Sequence, residues 1–575
     1  MDRRDAAKYG RTEKVTQTVR RAAARTFARP PPACGRGPAP TLMWTSTADR
    51  LALLEAEWRT PSPRPRNFPL IARYHAAVQA EPAYHRLDDQ TWTDLNGDDL
   101  FALLDGTTSR VGQQCLYHRV RSPLNDEAAL QDFDQAARLF AEPAPRGKAL
   151  LALRRLTSTD AYYLPDILTG DALLALPWTV AAPAMVLLLL ATVVGGFWQP
   201  ALWLLSGGLI LLHSVLHFWY RSRIKGVMRP MQQLSSLYRA GRGLTRLQLP
   251  LAALHGLAEP LGQLGSIVNK VAFLQTDDLM KSEMTMLPWL VLEYLKMMLL
   301  LDFIVYRSCR RQVEQHFGAI RAVYEAVGYV DCAVAVAGFR ARHPHCVPQF
   351  TAETGLRLSG AYNPLVPGCV PNDLTVADTS ILLTGSNMSG KTTFMRAIGL
   401  SMLLAQTIAT CPATAYAAPF RRVVSSINLA DSLTEGKSYY FAEAETILGF
   451  VRAAEASAGG YLFILDELFK GTNTVERIAA TQAVLAYLQP RSLVVASTHD
   501  GELGQLLAPA FTEYHFSETV TETDWYFDYL LKPGPLRTRN AIRLLARVGF
   551  PTSIVEDAEA LSRTLDAVGT SAANP

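Results

Sequence analysis

From residue 45 to 171 apolar residues recur three and four apart, as at Leu51, Leu53, Leu54 and Trp58, with polar positions between them. That spacing predicts amphipathic helices packed face to face. Residues 172–220 break the pattern, because they contain no Asp, Glu, Lys or Arg. This stretch has room for two helices of about 20 residues, the length that crosses a bilayer. The turn between them is Gly195-Gly196-Phe197-Trp198-Gln199-Pro200. A third apolar stretch, 286–306, carries Glu293, Lys296 and Asp302. Each of these would cost about 2.5–3.5 kcal/mol at the centre of a bilayer, so a single packed cytosolic helix is expected there. Glu293 and Lys296, three apart, would pair on one of its faces. From about residue 351 short β-rich runs alternate with helical ones between Gly, Pro and Asn turns, which predicts an α/β domain continuing to the C-terminus.

Charge sharpens the reading of the middle segment. Arg154 and Arg155 precede it, and Arg221, Arg223 and Lys225 follow it. The positive-inside rule places both flanks in the cytoplasm and the turn outside. Trp178, the Phe197-Trp198 pair and Phe218-Trp219-Tyr220 stand at the segment ends, where amphipathic rings prefer the headgroup layer. The first 42 residues, rich in Arg, Ala and Pro with almost no acidic partner, read as a disordered leader without the apolar run of a secretory signal.

The chain of 575 residues is long enough for several cores, and a net charge of +4 over that length lacks the basic footprint of a dedicated nucleic-acid binder. Seven cysteines, at 34, 115, 309, 332, 346, 369 and 411, form no C-x-x-C pair and no zinc spacing. They read as reduced, buried thiols.

Candidate chemistry begins at the apolar run Ile381-Leu382-Leu383-Thr384, which leads into Gly385-Ser386-Asn387-Met388-Ser389-Gly390-Lys391-Thr392. This fits G-x-x-x-x-G-K-[ST] and is followed by a helical pattern from Thr393, the strand, loop and helix context that the motif requires. The glycines let backbone N–H groups wrap phosphates at a helix N-terminus. Lys391 is expected to reach the β and γ phosphates of ATP, and the Thr392 hydroxyl to ligate Mg2+. A second apolar strand, 461–465, ends in Asp466-Glu467. The first acid would hold Mg2+ and the second would polarise the attacking water, a pairing suited to hydrolysis. A third, 492–496, ends in Ser497-Thr498-His499, and a His at the carboxyl end of such a strand is read as a γ-phosphate sensor.

These residues resemble a known family. Thr384-Gly385-Ser386-Asn387-Met388-Ser389-Gly390-Lys391-Thr392-Thr393 is similar to the MutS form of the P-loop, in which Asn-Met precedes a small residue and Gly-Lys. Val370-Pro371-Asn372-Asp373 resembles the segment before that loop, and Gly436-Lys437-Ser438 through Glu443 the signature loop. Asp466-Glu467-Leu468-Phe469-Lys470-Gly471-Thr472-Asn473 resembles the extended Walker B, and Ser497-Thr498-His499 the His switch. Asn540-Ala541-Ile542-Arg543, Gly549-Phe550-Pro551 and 555–558 resemble the helix-turn-helix that pairs family subunits. Upstream, Asp98-Asp99-Leu100-Phe101, Leu104-Asp105 and 112–123 look like the start of the family's helical core.

The resemblance implies a C-terminal α/β P-loop ATPase domain of ABC/MutS type, preceded by an all-α lever or core domain carrying a transmembrane helical hairpin. The expected parts are a leader (1–44), helical core (45–171), hairpin (172–220), second helical part (221–350), ATPase domain (351–535) and a dimerisation segment with tail (536–575). Catalysis falls to Lys391, Glu467, His499 and Ser438, and residues 385–393 would bind the nucleotide. Thr392 and Asp466 would hold Mg2+. In a homodimer Ser438 of one subunit would reach the γ-phosphate bound by the other. The implied activity is that of a dimeric ATP-driven clamp on duplex or branched DNA, held at the cytoplasmic membrane through residues 176–220. The alternative is a membrane ATPase with a protein or lipid partner and no DNA. A transporter ATPase fits less well, because the Ser-Gly-Gly signature of that class is missing. Two departures from the family stand out. No segment before residue 90 is long enough for the domain that wedges a Phe into mismatched DNA, so mismatch-specific recognition is not expected. Asn363-Pro364 also stands where the family has His-Pro.

Overall fold

The computed structural model describes residues 46–60, 65–169, 180–274, 283–386, 389–427, 439–457, 460–520, 525–536 and 541–572. The chain divides into two units, 1–56 and 57–575. In the first, described from Ser46, the Ser46 and Asp49 side chains reciprocally cap the start of a helix at Thr47: Ser46 N donates to Asp49 Oδ2 at 3.0 Å and Asp49 N to Ser46 Oγ at 3.2 Å.

The second unit is helical up to residue 342. Its centre is the seam between α1 (Arg110–Arg121), α2 (Glu127–Ala141) and a later helix, α7 (Phe317–Arg342), which is buried along most of its length. Two glycines set the close approach of α1 and α7. A Cβ at Gly112 would lie 2.1 Å from Asp331 Oδ2, and one at Gly328 would lie 2.2 Å from Cys115 Sγ. Asp331, fully buried, accepts from Thr108 N (2.9 Å), Ser109 N (2.7 Å) and Ser109 Oγ (2.6 Å), while Ser109 also caps Gly112 N. Burial pushes the Asp331 carboxyl up to about 6 against those hydrogen bonds.

Between these core helices the chain runs out and back. Helix α3 (Ala182–Gly195) turns at 196–201 into α4 (Leu202–Thr245). Both expose apolar side chains, with Leu187, Val194, Phe197, Trp198, Leu204, Leu211, Val215 and Phe218 each more than half exposed. The expected boundary at 220 is not an element boundary, because α4 continues without a break for 44 residues. Its far half packs into the helical body through Met231, Leu234, Leu237, Ala240 and Leu244, all fully buried. The first part of the predicted hairpin, 170–179 with Trp178, lies outside the described residues.

The third apolar stretch also differs from the single helix expected. It divides into α5 (Glu283–Met298) and α6 (Leu301–Gln315) at Leu300, whose φ of +46° ends one helix and starts the next. The pairing of Glu293 with Lys296 is present at 3.4 Å. It belongs to a larger occluded group in which Lys296 Nζ stands 3.8 Å from Asp302 Oδ1, and His217 of α4 lies 3.7 Å from Asp302 and 3.9 Å from Glu293. The charges therefore turn inward against α4, while Leu290, Val291, Tyr294 and Leu295 face outward. Among the described residues two helices are apolar and long enough to cross a membrane: the Leu202–Trp219 part of α4, and α7, which is instead buried in the helical body.

Beyond residue 342 the chain builds two larger sheets and a small ribbon. Strands β1 (Gln349–Phe350), β2 (Leu356–Ala361), β3 (Asn372–Val376) and β5 (Ala415–Ala418) form one sheet in the order β1-β5-β2-β3. The other contains β4 (Ser380–Thr384), β6 (Arg422–Ser426), β7 (Tyr461–Asp466), β8 (Leu493–Ser497), β9 (Phe511–His515) and β12 (Lys532–Pro533), in the order β12-β9-β4-β8-β7-β6. All its pairings are parallel except β12 with β9. β4 and β8 are buried at every position, as continuous apolar runs covered on both faces should be. The ribbon pairs β10 (Glu518–Val520) with β11 (Trp525–Phe527). Helices α8 (Lys391–Ile408), α9 (Tyr439–Ala456) and α10 (Thr474–Leu488) connect the large sheet, and the chain ends in two helices, Ala541–Val548 and Thr552–Ala572, turned at Gly549 with φ +97°.

Candidate functional site

Parallel pairing brings the carboxyl ends of β4, β7 and β8 to one level. Ser497 lies opposite Leu383 on one side and Asp466 on the other. The three motifs, far apart in sequence, therefore meet at one edge of the sheet, where ligands bind in open parallel sheets.

The loop after β4 needs its glycines. Gly385 has φ +140°, and a Cβ there would come within 2.6 Å of Phe516 O. Gly390, with φ +104°, caps α8. The buried Lys391 ammonium donates to Gly385 O across the loop. Burial lowers its pKa, opposed by the charges of Glu467 and Asp466. Ser389 Oγ donates to Ser386 O at 2.7 Å, and Ser386 Oγ donates to Glu518 at 3.0 Å. Asn387 and Met388 lie outside the described residues.

Thr392 Oγ1 donates to Asp466 Oδ2 at 3.0 Å, while Ser497 Oγ donates to the other carboxylate oxygen. These are hard oxygen donors of the kind Mg2+ takes, one carboxylate and one hydroxyl beside a loop shaped for phosphate. Among the described residues no group of three His, Cys, Asp or Glu side chains would hold a metal alone, so an ion here would rely on water and phosphate for its remaining ligands.

The next acid, Glu467, sits in the left-handed region with φ +51°, as does Phe469 with φ +59°. Such strain in non-glycine residues persists only where the surroundings hold it. Glu467 N donates to Ser497 O at 3.1 Å, and its carboxylate meets His499 Nε2 at 2.7 Å and Lys470 Nζ at 3.1 Å. His499, and after it Lys470, hold the Glu467 carboxyl down at about 2, so it is an anion. Glu467 and His499 face a recess of about 140 Å³ that also includes Lys470, Arg477 and Asp500. Arg477 clasps Asp500 at 2.6 and 2.9 Å, fixing the loop that carries His499.

Several contacts at the site have no signal in the sequence. Glu443 ends the segment that resembles the signature loop. It lies on α9, almost fully buried, and accepts from Phe469 N at 2.6 Å, which holds the strained turn after Glu467. Ser438, with the rest of 428–438, lies outside the described residues. Beside the loop is a cavity of about 410 Å³ bordered by Thr392 and Thr393, with Tyr362, Phe394, Phe516 and Tyr529 supplying aromatic faces. Asn363, standing where the family has His, is buried and accepts from Leu365 N at 3.0 Å. Asn372 secures the cavity's rim by donating to Tyr529 O (3.0 Å) and accepting from Leu531 N (2.7 Å).

The helical body grips this site directly. Asp94, fully buried, accepts from Ser425 Oγ and Ile427 N at the end of β6, both at 2.9 Å, and its carbonyl accepts from Arg396 of α8 at 2.7 Å. Arg119 of α1 donates to Thr407 O at 2.7 Å.

The family model for MutS domain V matches residues 381–566, the span that holds the loop, both acids, His499 and the C-terminal helices. This part of the chain is a MutS-family domain. The chain is 30% identical over 272 residues to the DNA mismatch repair protein MutS of Natronomonas pharaonis, covering 45% of this chain and 31% of that protein. To the MutS of Thermus thermophilus it is 30% identical over 262 residues, 45% of this chain and 32% of the other. For Lactobacillus delbrueckii the figures are 27% over 288 residues, 48% and 33%. The chain thus spans about a third of the length of the curated MutS relatives it matches.

Proposed function

We propose that this chain binds ATP with Mg2+ and hydrolyses it at the carboxyl edge of the large sheet. The carrying observation is the meeting of Thr392, Asp466 and Ser497 beside the loop, with the Glu467–His499 pair just past the carboxyl ends of β7 and β8. The loop of 385–390 and Lys391 would cradle the phosphates, and the aromatic cavity of about 410 Å³ offers the base a stacking surface. Mg2+ held by Thr392 and Asp466 would neutralise phosphate charge. The Glu467 anion, with a recess beside it, would polarise water, and the contact from His499 would orient that carboxylate.

The wider reading is a homodimer acting as an ATP-driven clamp on duplex or branched DNA at the membrane. Support for pairing comes from Val548, Phe550, Ile554 and Leu561, apolar and exposed around the C-terminal turn. Support for a membrane comes from the outward apolar faces of α3, α4 and α5. The same faces favour a second reading, in which a membrane protein or lipid takes the place of DNA. The inward-turned charges of α5 remove the objection that kept 286–306 out of the bilayer, since occluded, mutually paired groups are how ionisable residues persist there. We extend the membrane-embedded part to include α5.

The test is ATP hydrolysis by the detergent-purified protein with and without duplex and branched DNA. Glu467→Gln should retain nucleotide binding and lose about 10²–10⁴-fold in hydrolysis. Hydrolysis by Glu467→Gln at the parent rate would overturn the assignment. Stimulation by DNA supports the clamp, and indifference to it supports the membrane partner.

A further inference from the structure

Two of the described cysteines stand opposite each other. Cys346 follows α7 by four residues, Cys411 follows α8 by three, and the two are paired across an isolated antiparallel bridge. Cys346 N donates to Cys411 O at 3.0 Å and Cys411 N to Cys346 O at 2.9 Å. Residues that exchange both backbone hydrogen bonds hold their Cα atoms about 5.5 Å apart, inside the range of about 4.4–6.8 Å that a disulfide spans, and their Cβ atoms, about 5.5 Å apart, must close by roughly 1 Å for the bond to form. Both are free thiols in contact with each other; Cys411 is fully buried and Cys346 is partly exposed.

The surroundings tie this pair to both halves of the molecule. Arg340, near the end of α7, donates to Asp134 of α2 at 2.6 Å, to Ala409 O at 2.8 Å and to Thr410 Oγ1 at 2.9 Å. Tyr362, which lines the cavity beside the phosphate-type loop, donates its hydroxyl to Pro344 O at 2.8 Å and its N–H to Pro412 O at 3.1 Å. Each of these prolines is within two residues of one of the thiols.

We propose that Cys346 and Cys411 are a reversible dithiol site, closed to a disulfide by a peroxide-class oxidant, that pins the α7–α8 junction and with it Tyr362 at the cavity wall. The accessible Cys346 thiolate attacks one peroxide oxygen, giving a sulfenic acid and releasing hydroxide. Cys411 sulfur then displaces the second hydroxide as the S–S bond forms. The two thiol protons convert both hydroxides to water, so two thiols lose two electrons and the peroxide gains them. The hydrogen bond from Cys411 lowers the Cys346 thiol pKa, which favours Cys346 as the attacking group. A low-molecular-weight thiol reverses the bond by exchange. In a reducing compartment the dithiol is the resting state and the disulfide a transient one.

The control of turnover rests on the nucleotide reading above, whereas formation of the bond does not. Full-length protein treated with hydrogen peroxide, alkylated and digested should yield one linked peptide joining 346 to 411, two hydrogens lighter than its parts and separated by dithiothreitol. ATP hydrolysis should fall several-fold on oxidation and recover on reduction. Cys346→Ser should hydrolyse at the parent rate and be indifferent to peroxide. Sulfinic acid on Cys346 with Cys411 still alkylatable would overturn the proposal, as would an equal loss of hydrolysis in Cys346→Ser. Absence of hydrolysis in untreated protein would instead refute the nucleotide reading, with the linked peptide still deciding the dithiol.

Discussion

Replacing Gly112 by Ala tests the packing of α1 against α7 at the centre of the helical body. The added carbon would sit 2.1 Å from Asp331 Oδ2 and 2.4 Å from both Cβ and Cγ of the same residue. Because Asp331 Cβ itself is in the way, a carboxylate rotation does not relieve the clash, and α1 must move from α7. Overpacking of this kind costs about 1–3 kcal/mol. Displacing the carboxylate also weakens bonds from Thr108 N, Ser109 N and Ser109 Oγ, each worth about 1.5–3 kcal/mol to a charged acceptor. Alanine returns up to about 1 kcal/mol in helix propensity. A net loss of about 3 kcal/mol follows, counting partial retention of those bonds. Hydrogen exchange followed by mass spectrometry reads it locally: amides of 108–121 should exchange about a hundredfold faster. Gly262→Ala is the control, since Gly262 lies on the helix Ala258–Leu274 with nothing within 4 Å of the new carbon. Its helix should be equally or better protected. Exchange in Gly112→Ala at the parent rate, or equal loosening in both variants, would refute the close-approach argument.

Asp94→Ala should release the β6 end from the helical body and destabilise that contact by about 3 kcal/mol, seen as faster exchange across 422–427, while the bond from Arg396 of α8 to the residue-94 carbonyl stays. His75 and His118, with Nδ1 atoms 3.0 Å apart, are both held near pKa 4 by burial, with charged neighbours including Arg86 adding to it. Folded values below the ordinary 6.5 mean their contribution is full above about pH 6.5 and is lost as pH falls through about 4. The full effect is on the order of 3 kcal/mol per histidine. Urea midpoints from pH 7 to 4.5 should fall, and His118→Phe should flatten the slope. Thr392→Val should leave Mg2+-free nucleotide binding intact while removing most of the Mg2+-dependent gain, measured by titration with fluorescent ATP.

The motifs that the sheet brings together were legible because each is local. A loop such as 385–392 carries its own strand, glycines and helix start, and Asp466-Glu467 and Ser497–His499 close apolar runs that the sheet then sets side by side. What depends on distant segments was not legible. Tyr362, Phe516 and Tyr529 reach one cavity from three separate stretches, and Glu443 binds Phe469 across 26 residues. The break at Leu300 has no Gly or Pro to announce it. At 220 the opposite holds, since a change from apolar to basic composition marks a change of surroundings while the backbone hydrogen-bond ladder of α4 runs on.

That uninterrupted helix has a mechanical consequence. From Met231, buried in the helical body, to Leu202 at the outer turn is 29 residues, about 44 Å at 1.5 Å each. A rotation of about 5° at the buried end, on the scale of ordinary helix rearrangement, would sweep the outer turn through about 4 Å. Pro230, where one ladder bond is missing, sits at the start of the buried segment and is where such a swing would pivot. Angular change within the helical body thus becomes linear travel among the exposed aromatic residues at 197, 198 and 203.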